Sequence, residues 1–80
     1  MRLDKYLKVS RIIKRRTVAN EACDAGRVEV NGKIARASYD VKQGDIIKVC
    51  LGQNERTFEV LEVTEHALKE DASKMYEIIE

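Results

Sequence analysis

The apolar spacing of this chain changes period at Gly26, and that switch restricts its possible folds more than any other feature. Before it, Leu3, Tyr6 and Leu7 recur at i, i+3 and i+4, and Val18, Ala19, Ala22 and Cys23 form a second stripe. Both are the spacing of residues that share one side of a helix. After it, Val28 and Val30 alternate with Arg27 and Glu29, and Ile47, Val49 and Leu51 alternate with Lys48 and Cys50. That is the two-residue period of a half-buried strand. Two short helices followed by a small, mostly antiparallel sheet place the chain in the α+β class.

The punctuation agrees with the periods. Thr17 suits an N-cap for the second helix, and Gly26 stands where a C′ glycine would stop it. "IIKRR" interrupts the first helical pattern and predicts a turn, with Ile12 or Ile13 tucked into the core. Asn31-Gly32 is a strong hairpin signal, and Gly44-Asp45 and "GQNE" read as further turns. "RTFEVLEV" returns as a strand whose alternation slips at Val60-Leu61, predicting a bulge or an exposed face. Leu68, Ala72, Met75, Tyr76 and Ile79 fall at i, i+4, i+7, i+8 and i+11, which predicts a closing C-terminal helix.

Length and composition then exclude much. Eighty residues with no proline, no repeat and no linker form a single domain, residues 1–80, with a core of limited size. No apolar run nears the ~18 residues of a membrane span. No apolar signal segment follows Met1, so a cytoplasmic protein is expected. Cys23 and Cys50 form no CxxC and have only His66 for company. Buried reduced thiols are expected, with neither a metal nor a cofactor. His66 lacks a serine beside it, and Gly26, Gly32, Gly44 and Gly52 are too scattered to cradle a phosphate. An enzyme is not expected.

Net charge is +1, yet residues 1–36 carry ten Lys/Arg against four acids, and residues 37–80 carry five against ten. From Lys5 to Asn20 there is no Asp or Glu at all. Cations that merely solvate a surface are usually interleaved with acids, whereas Lys5, Lys8, Arg11, Lys14, Arg15 and Arg16, with Arg2 nearby, repel one another. A polyanion would offset that repulsion through charge-assisted contacts to phosphate. Ser10, Thr17 and Asn20 could add short polar contacts, and the start of the second helix adds N–H groups. No large apolar face accompanies the charges, which disfavours a membrane surface. The corner is too narrow for a major-groove recognition helix, and no dimer seam is visible, so a monomer is expected. Tyr6, Tyr39, Phe58 and Tyr76 do not line up as a base-stacking strand. Backbone and shape recognition of structured RNA fits best.

"RLDKYL", then "KRRTVANEACDAGRVEVNG", then "VKQGDIIKV" resemble the small RNA-binding domain named after ribosomal protein S4, over residues 2–49. The resemblance implies a two-helix, αL-type RNA-binding face packed on a small twisted sheet. It carries over, position by position, Arg2, Lys5, Lys8, Ser10, Arg11, Arg15, Arg16, Thr17 and Asn20, with Arg27 at the helix exit. Lys14 joins them on charge alone, and Arg2 and Arg16 are the leading candidates. In length, and in "MRLDKYLKVSRIIKRRT" and "MYEIIE", the chain looks like the stand-alone members of bacterial ribosome-associated quality control; the fifteen-kilodalton heat-shock protein is a more distant likeness. What this implies is a large ribosomal subunit obstructed by a peptidyl-tRNA as target, with large-subunit rRNA and the P-site tRNA as contacts. It also implies support for alanine tailing by RqcH. The alternatives are a binder of free tRNA or small-subunit rRNA, and a protein–protein adaptor that exposes Met75, Tyr76 and Ile79 on the C-terminal helix.

Overall fold

The computed structural model describes residues 1–65 and 69–79; His66 and Leu68 lie outside them. Helices α1 (Leu3–Val9) and α2 (Arg16–Asp24) come first. Strands β1 (Val28–Val30), β2 (Lys33–Ile34), β3 (Ile46–Leu51) and β4 (Asn54–Val60), a one-turn helix α3 (Lys69–Ala72) and strand β5 (Tyr76–Ile78) follow. The strands form one antiparallel sheet in the order β2-β1-β3-β4-β5.

The expected signals act where the sequence puts them. Gly26 has φ +74°, its N–H donates to the Cys23 carbonyl, and the Arg27 N–H donates to the Ala22 carbonyl. These are the two bonds of a Schellman stop, in which a left-handed glycine satisfies the helix's last carbonyls. Asn31 and Gly32 both have positive φ, and Val30 faces Lys33 across them. That is the two-residue turn whose twist matches its strands. Asp45 is buried beneath that turn. It accepts hydrogen bonds from Asn31 Nδ2 (3.1 Å), the Tyr39 hydroxyl (3.1 Å) and the Lys42 N–H (2.9 Å), while Asn31 Oδ1 accepts from the Ile46 N–H. At the slip after Val60, Leu61 and Glu62 both donate to the Met75 carbonyl, two residues against one as in a bulge.

One core joins the layers: Leu3, Tyr6, Leu7, Ile13, Ala19, Ala22 and Cys23 from the helical half pack with Val28, Val30, Ile47, Val49, Phe58, Val60 and Met75. The small residues of α2 let it lie close to α1. Between the two helices the chain turns through Arg11, whose φ of +64° is a conformation that a side-chain-bearing residue adopts at a cost of roughly 1–2 kcal/mol. Ile13 is buried just beyond it and holds the turn down.

Four expectations need correction. The C-terminal helix ends at Ala72, and the chain enters β5, pairing Val60 with Tyr76. The Phe58 ring meets Tyr76 edge-on at 5.2 Å between centroids, so the sheet edge captures a segment whose spacing alone reads as helical. Thr17 is not the N-cap, because α2 starts two residues earlier than a Thr17 cap would place it, at Arg16 with extended Arg15 as its cap. Leu51, at the hairpin end of β3, is exposed. Cys23 is buried and Cys50 only partly so, both as free thiols.

Candidate nucleic-acid interface

The only acid in the first twenty residues organises the cationic face. Asp4, in the first turn of α1, is 1% exposed. Its Oδ1 accepts from the Lys5 N–H (2.8 Å) and from Arg2 Nε (3.2 Å); its Oδ2 accepts from Asn20 Nδ2 (3.1 Å), while Arg2 Nη2 and Arg16 Nε lie at 3.5 Å. The carboxylate thus ties α1 to α2 and gathers two guanidinium groups at the junction. Burial pushes the Asp4 carboxyl up, but the bonds from Asn20, Arg2 and the Lys5 N–H, with the charge of Arg16, outweigh it and hold the group below its ordinary value. The Arg2 and Arg16 side chains remain 52% and 47% exposed. Two cations against one carboxylate leave a net positive charge at a fixed place, with N–H edges open to an incoming anion.

Around this centre stand the other cations. Lys8 lies one turn from Asp4 on α1, and Arg11, Lys14 and Arg15 occupy the turn that follows; all four are exposed. Among the described residues none of the four has an ion-pair partner. Thr17 is exposed in the first turn of α2. That turn holds no acid, and no side chain caps it, so its N–H groups and positive dipole end face the same neighbourhood.

Three expected residues stand apart. Lys5 is already engaged in an ion pair with Glu65. Ser10 is buried, and its hydroxyl donates to the Leu7 carbonyl (3.3 Å), so it closes α1 and does not belong to the surface. Arg27 lies past the far end of α2, a helix about 13 Å long by its rise, in a shallow groove with Val18, Glu21 and Leu51. The residue that sequence reasoning missed is Asp4. The available signal was its isolation, because a single acid in a cationic helix start is placed to gather its neighbours.

Sequence comparison gives the geometry its class. Residues 1–47, more than half of the chain, match the S4 domain profile; the chain belongs to the S4-domain family. Within it, the chain is 56% identical over 79 residues to the RQC P-site tRNA stabilizing factor of Streptococcus pneumoniae, covering 99% of this chain and 90% of that one. It is 53% identical over 79 residues to the protein of the same name from Bacillus subtilis, covering 99% and 92%. Among solved structures, trimeric Heat Shock Protein 15 of Vibrio cholerae superposes with a TM-score of 0.89 at 29% identity, covering 98% of this chain and 80% of that one.

Proposed function

We propose that this chain is a non-catalytic RNA-binding factor of bacterial ribosome-associated quality control. It acts in the cytoplasm, as a monomer, on the large ribosomal subunit obstructed by a peptidyl-tRNA. Its cationic face contacts rRNA and the P-site tRNA, and by steadying that tRNA it supports alanine tailing by RqcH. The observation that carries the reading is the Asp4-centred cluster, in which Arg2, Arg16 and Asn20 are held in one place while Lys8, Arg11, Lys14 and Arg15 stand around it without an ion-pair partner among the described residues. The names borne by full-length relatives at 53–56% identity support the ribosomal setting.

The adaptor reading draws less support. Met75 is buried, Tyr76 is half-buried against Phe58, and only Ile79 of the three is exposed. Free tRNA or small-subunit rRNA remains the rival within RNA binding.

The test is binding to purified large subunits carrying P-site tRNA. If about five phosphates are neutralised, log affinity falls with log salt at a slope of roughly −3.5 to −4.5. Arg16→Ala weakens binding without unfolding the domain. A flat salt response, or wild-type affinity in Arg16→Ala, overturns the reading. Sedimentation of cell extract separates the rivals by placing the protein with large subunits, small subunits or free RNA.

A further inference from the structure

A second cationic surface lies beyond the two-helix face. The chain between β2 and β3 forms a strap that turns twice, at residues 36–39 and 42–45, and in it Ala35 and Ala37 are buried while Arg36 and Ser38 are exposed. The inner edge of this strap holds the start of α1: the Leu3 N–H donates to the Tyr39 carbonyl (2.8 Å) and the Asp4 N–H to the Ala37 carbonyl (3.2 Å). Beside it opens a groove of about 660 Å³ walled chiefly by Lys33, Ile34, Arg36, Ser38 and Tyr39, with no acid among its lining residues. Ile34, on edge strand β2, is 69% exposed. Among the described residues neither Lys33 nor Arg36 has an ion-pair partner. Nearby acids have other partners: Asp45 is bonded to Tyr39 and Asn31, and Asp40 pairs with the Met1 ammonium. Glu29, on the same face as its cross-strand neighbour Ile34, also stands opposite Lys48 of β3 and, after Glu55, raises the pKa of that ammonium.

We propose that this groove is a second RNA-contact surface, taking phosphodiester backbone on Lys33 and Arg36 and the face of a ribose or base on Ile34. The proposal rests on the RNA-binding reading above and extends it by a second site. Charge complementarity favours nucleic acid: two cations without an ion-pair partner among the described residues share the groove lining with the Ser38 hydroxyl and the exposed Ile34, and no acid lines it. A folded RNA offers both anions and flat apolar faces, whereas a protein partner would leave both cations to find carboxylates. The strap also gives continuity, because the segment that displays Arg36 anchors the backbone of Leu3 and Asp4. RNA seated on both surfaces would therefore grip one rigid unit.

The test compares three variants on large subunits carrying P-site tRNA. Lys33→Ala with Arg36→Ala is expected to flatten the log–log salt slope by roughly 1.4 to 1.8 and to weaken binding about 25- to 60-fold at 0.1 M salt relative to 1 M, as loss of two phosphate contacts requires. Lys33→Arg with Arg36→Lys keeps both charges and is expected to keep the wild-type slope. Arg16→Ala reports on the first surface. Wild-type slope and affinity in the double alanine variant overturn the proposal, and would assign the groove to an occupant other than RNA. A slope lost in the charge-preserving variant overturns it equally. If Arg16→Ala binds poorly while the double alanine variant binds normally, the second site falls and the first reading stands; if neither is impaired, both fall. A melting temperature of the double alanine variant close to wild type certifies folding, as two exposed, unbonded side chains demand.

Discussion

Replacing Asp4 with asparagine removes one negative charge and little volume, so its consequences can be worked out from the four groups around the carboxylate. Two of them, the Lys5 N–H and Asn20 Nδ2, make short bonds to a buried acceptor, and hydrogen bonds to a charged group contribute about 1.5–3 kcal/mol each. Asparagine keeps one carbonyl oxygen, so one of these bonds survives in weaker, neutral form. The ion pairs with Arg2 and Arg16 involve half-exposed guanidinium groups, and screening reduces each to about 0–1 kcal/mol. Relief from the cost of burying the charge, which opposes ionisation of Asp4, offsets part of these terms, and the sum is a loss of about 2 kcal/mol at neutral pH. For a domain of this size 1 kcal/mol moves Tm by about 4–8 °C, so Asp4→Asn should melt roughly 8–16 °C below wild type. The pH dependence follows from the direction of the Asp4 shift, which is downward. A carboxyl with a depressed folded-state pKa contributes stability above its unfolded value of about 3.9, and loses it as pH falls through the lower folded value. The Tm gap should therefore hold from pH 7 to about pH 5 and close under strong acid. Thermal melts of both proteins at pH 7, 5, 4 and 2.5 measure it directly. Equal melting at pH 7, or a gap that persists undiminished at pH 2.5, would show that the carboxylate does not hold the two helices together.

Arg11→Gly should raise Tm by about 4–8 °C, since glycine adopts φ +64° without strain and that gain exceeds the added freedom of the unfolded chain; it should also weaken large-subunit binding, and a lower Tm would contradict the strain. Val28→Asp places a charge at a fully buried position of β1 and should abolish cooperative unfolding; a preserved thermal transition would refute the core assignment. The Cys23 thiol, pushed up to about 11 mainly by burial, should resist alkylation at pH 8 in the native state and react on denaturation, with Cys50 modified first; peptide mapping after a timed thiol quench checks the order.

Much of the fold was legible because its decisive signals are local. Gly26 needed only its own backbone freedom to stop α2, Asn31-Gly32 needed only two adjacent positive φ angles, and Val28, Val30, Ile47 and Val49 alternate as the sheet requires. Most of the misread parts depend on distant partners, with Ser10 the local exception. The spacing of Met75, Tyr76 and Ile79 fits a helix, but an available β4 edge and the Phe58 ring decide for a strand. Ser10 looked like a ligand because it sits among cations, whereas its hydroxyl serves the carbonyl three residues back. Asp4 could be seen as an isolated acid, but its role exists only once α2 brings Arg16 and Asn20 within reach. Lys33 and Arg36 were counted in the charge balance and not in the site, since only the turn of the strap after β2 brings them to one groove with Ser38 and Tyr39.

The junction after α2 has a mechanical consequence. Arg27 donates its N–H to the Ala22 carbonyl in the helix and accepts, through its own carbonyl, the Cys50 N–H from β3. The same peptide links thus belong to the last turn of one element and the ladder of the next, leaving no slack segment where the cationic corner could swing. A pull on Arg16 or Asn20 passes through this link to the β1–β3 ladder. If the face holds RNA as proposed, release comes from losing contacts, not from opening a jaw.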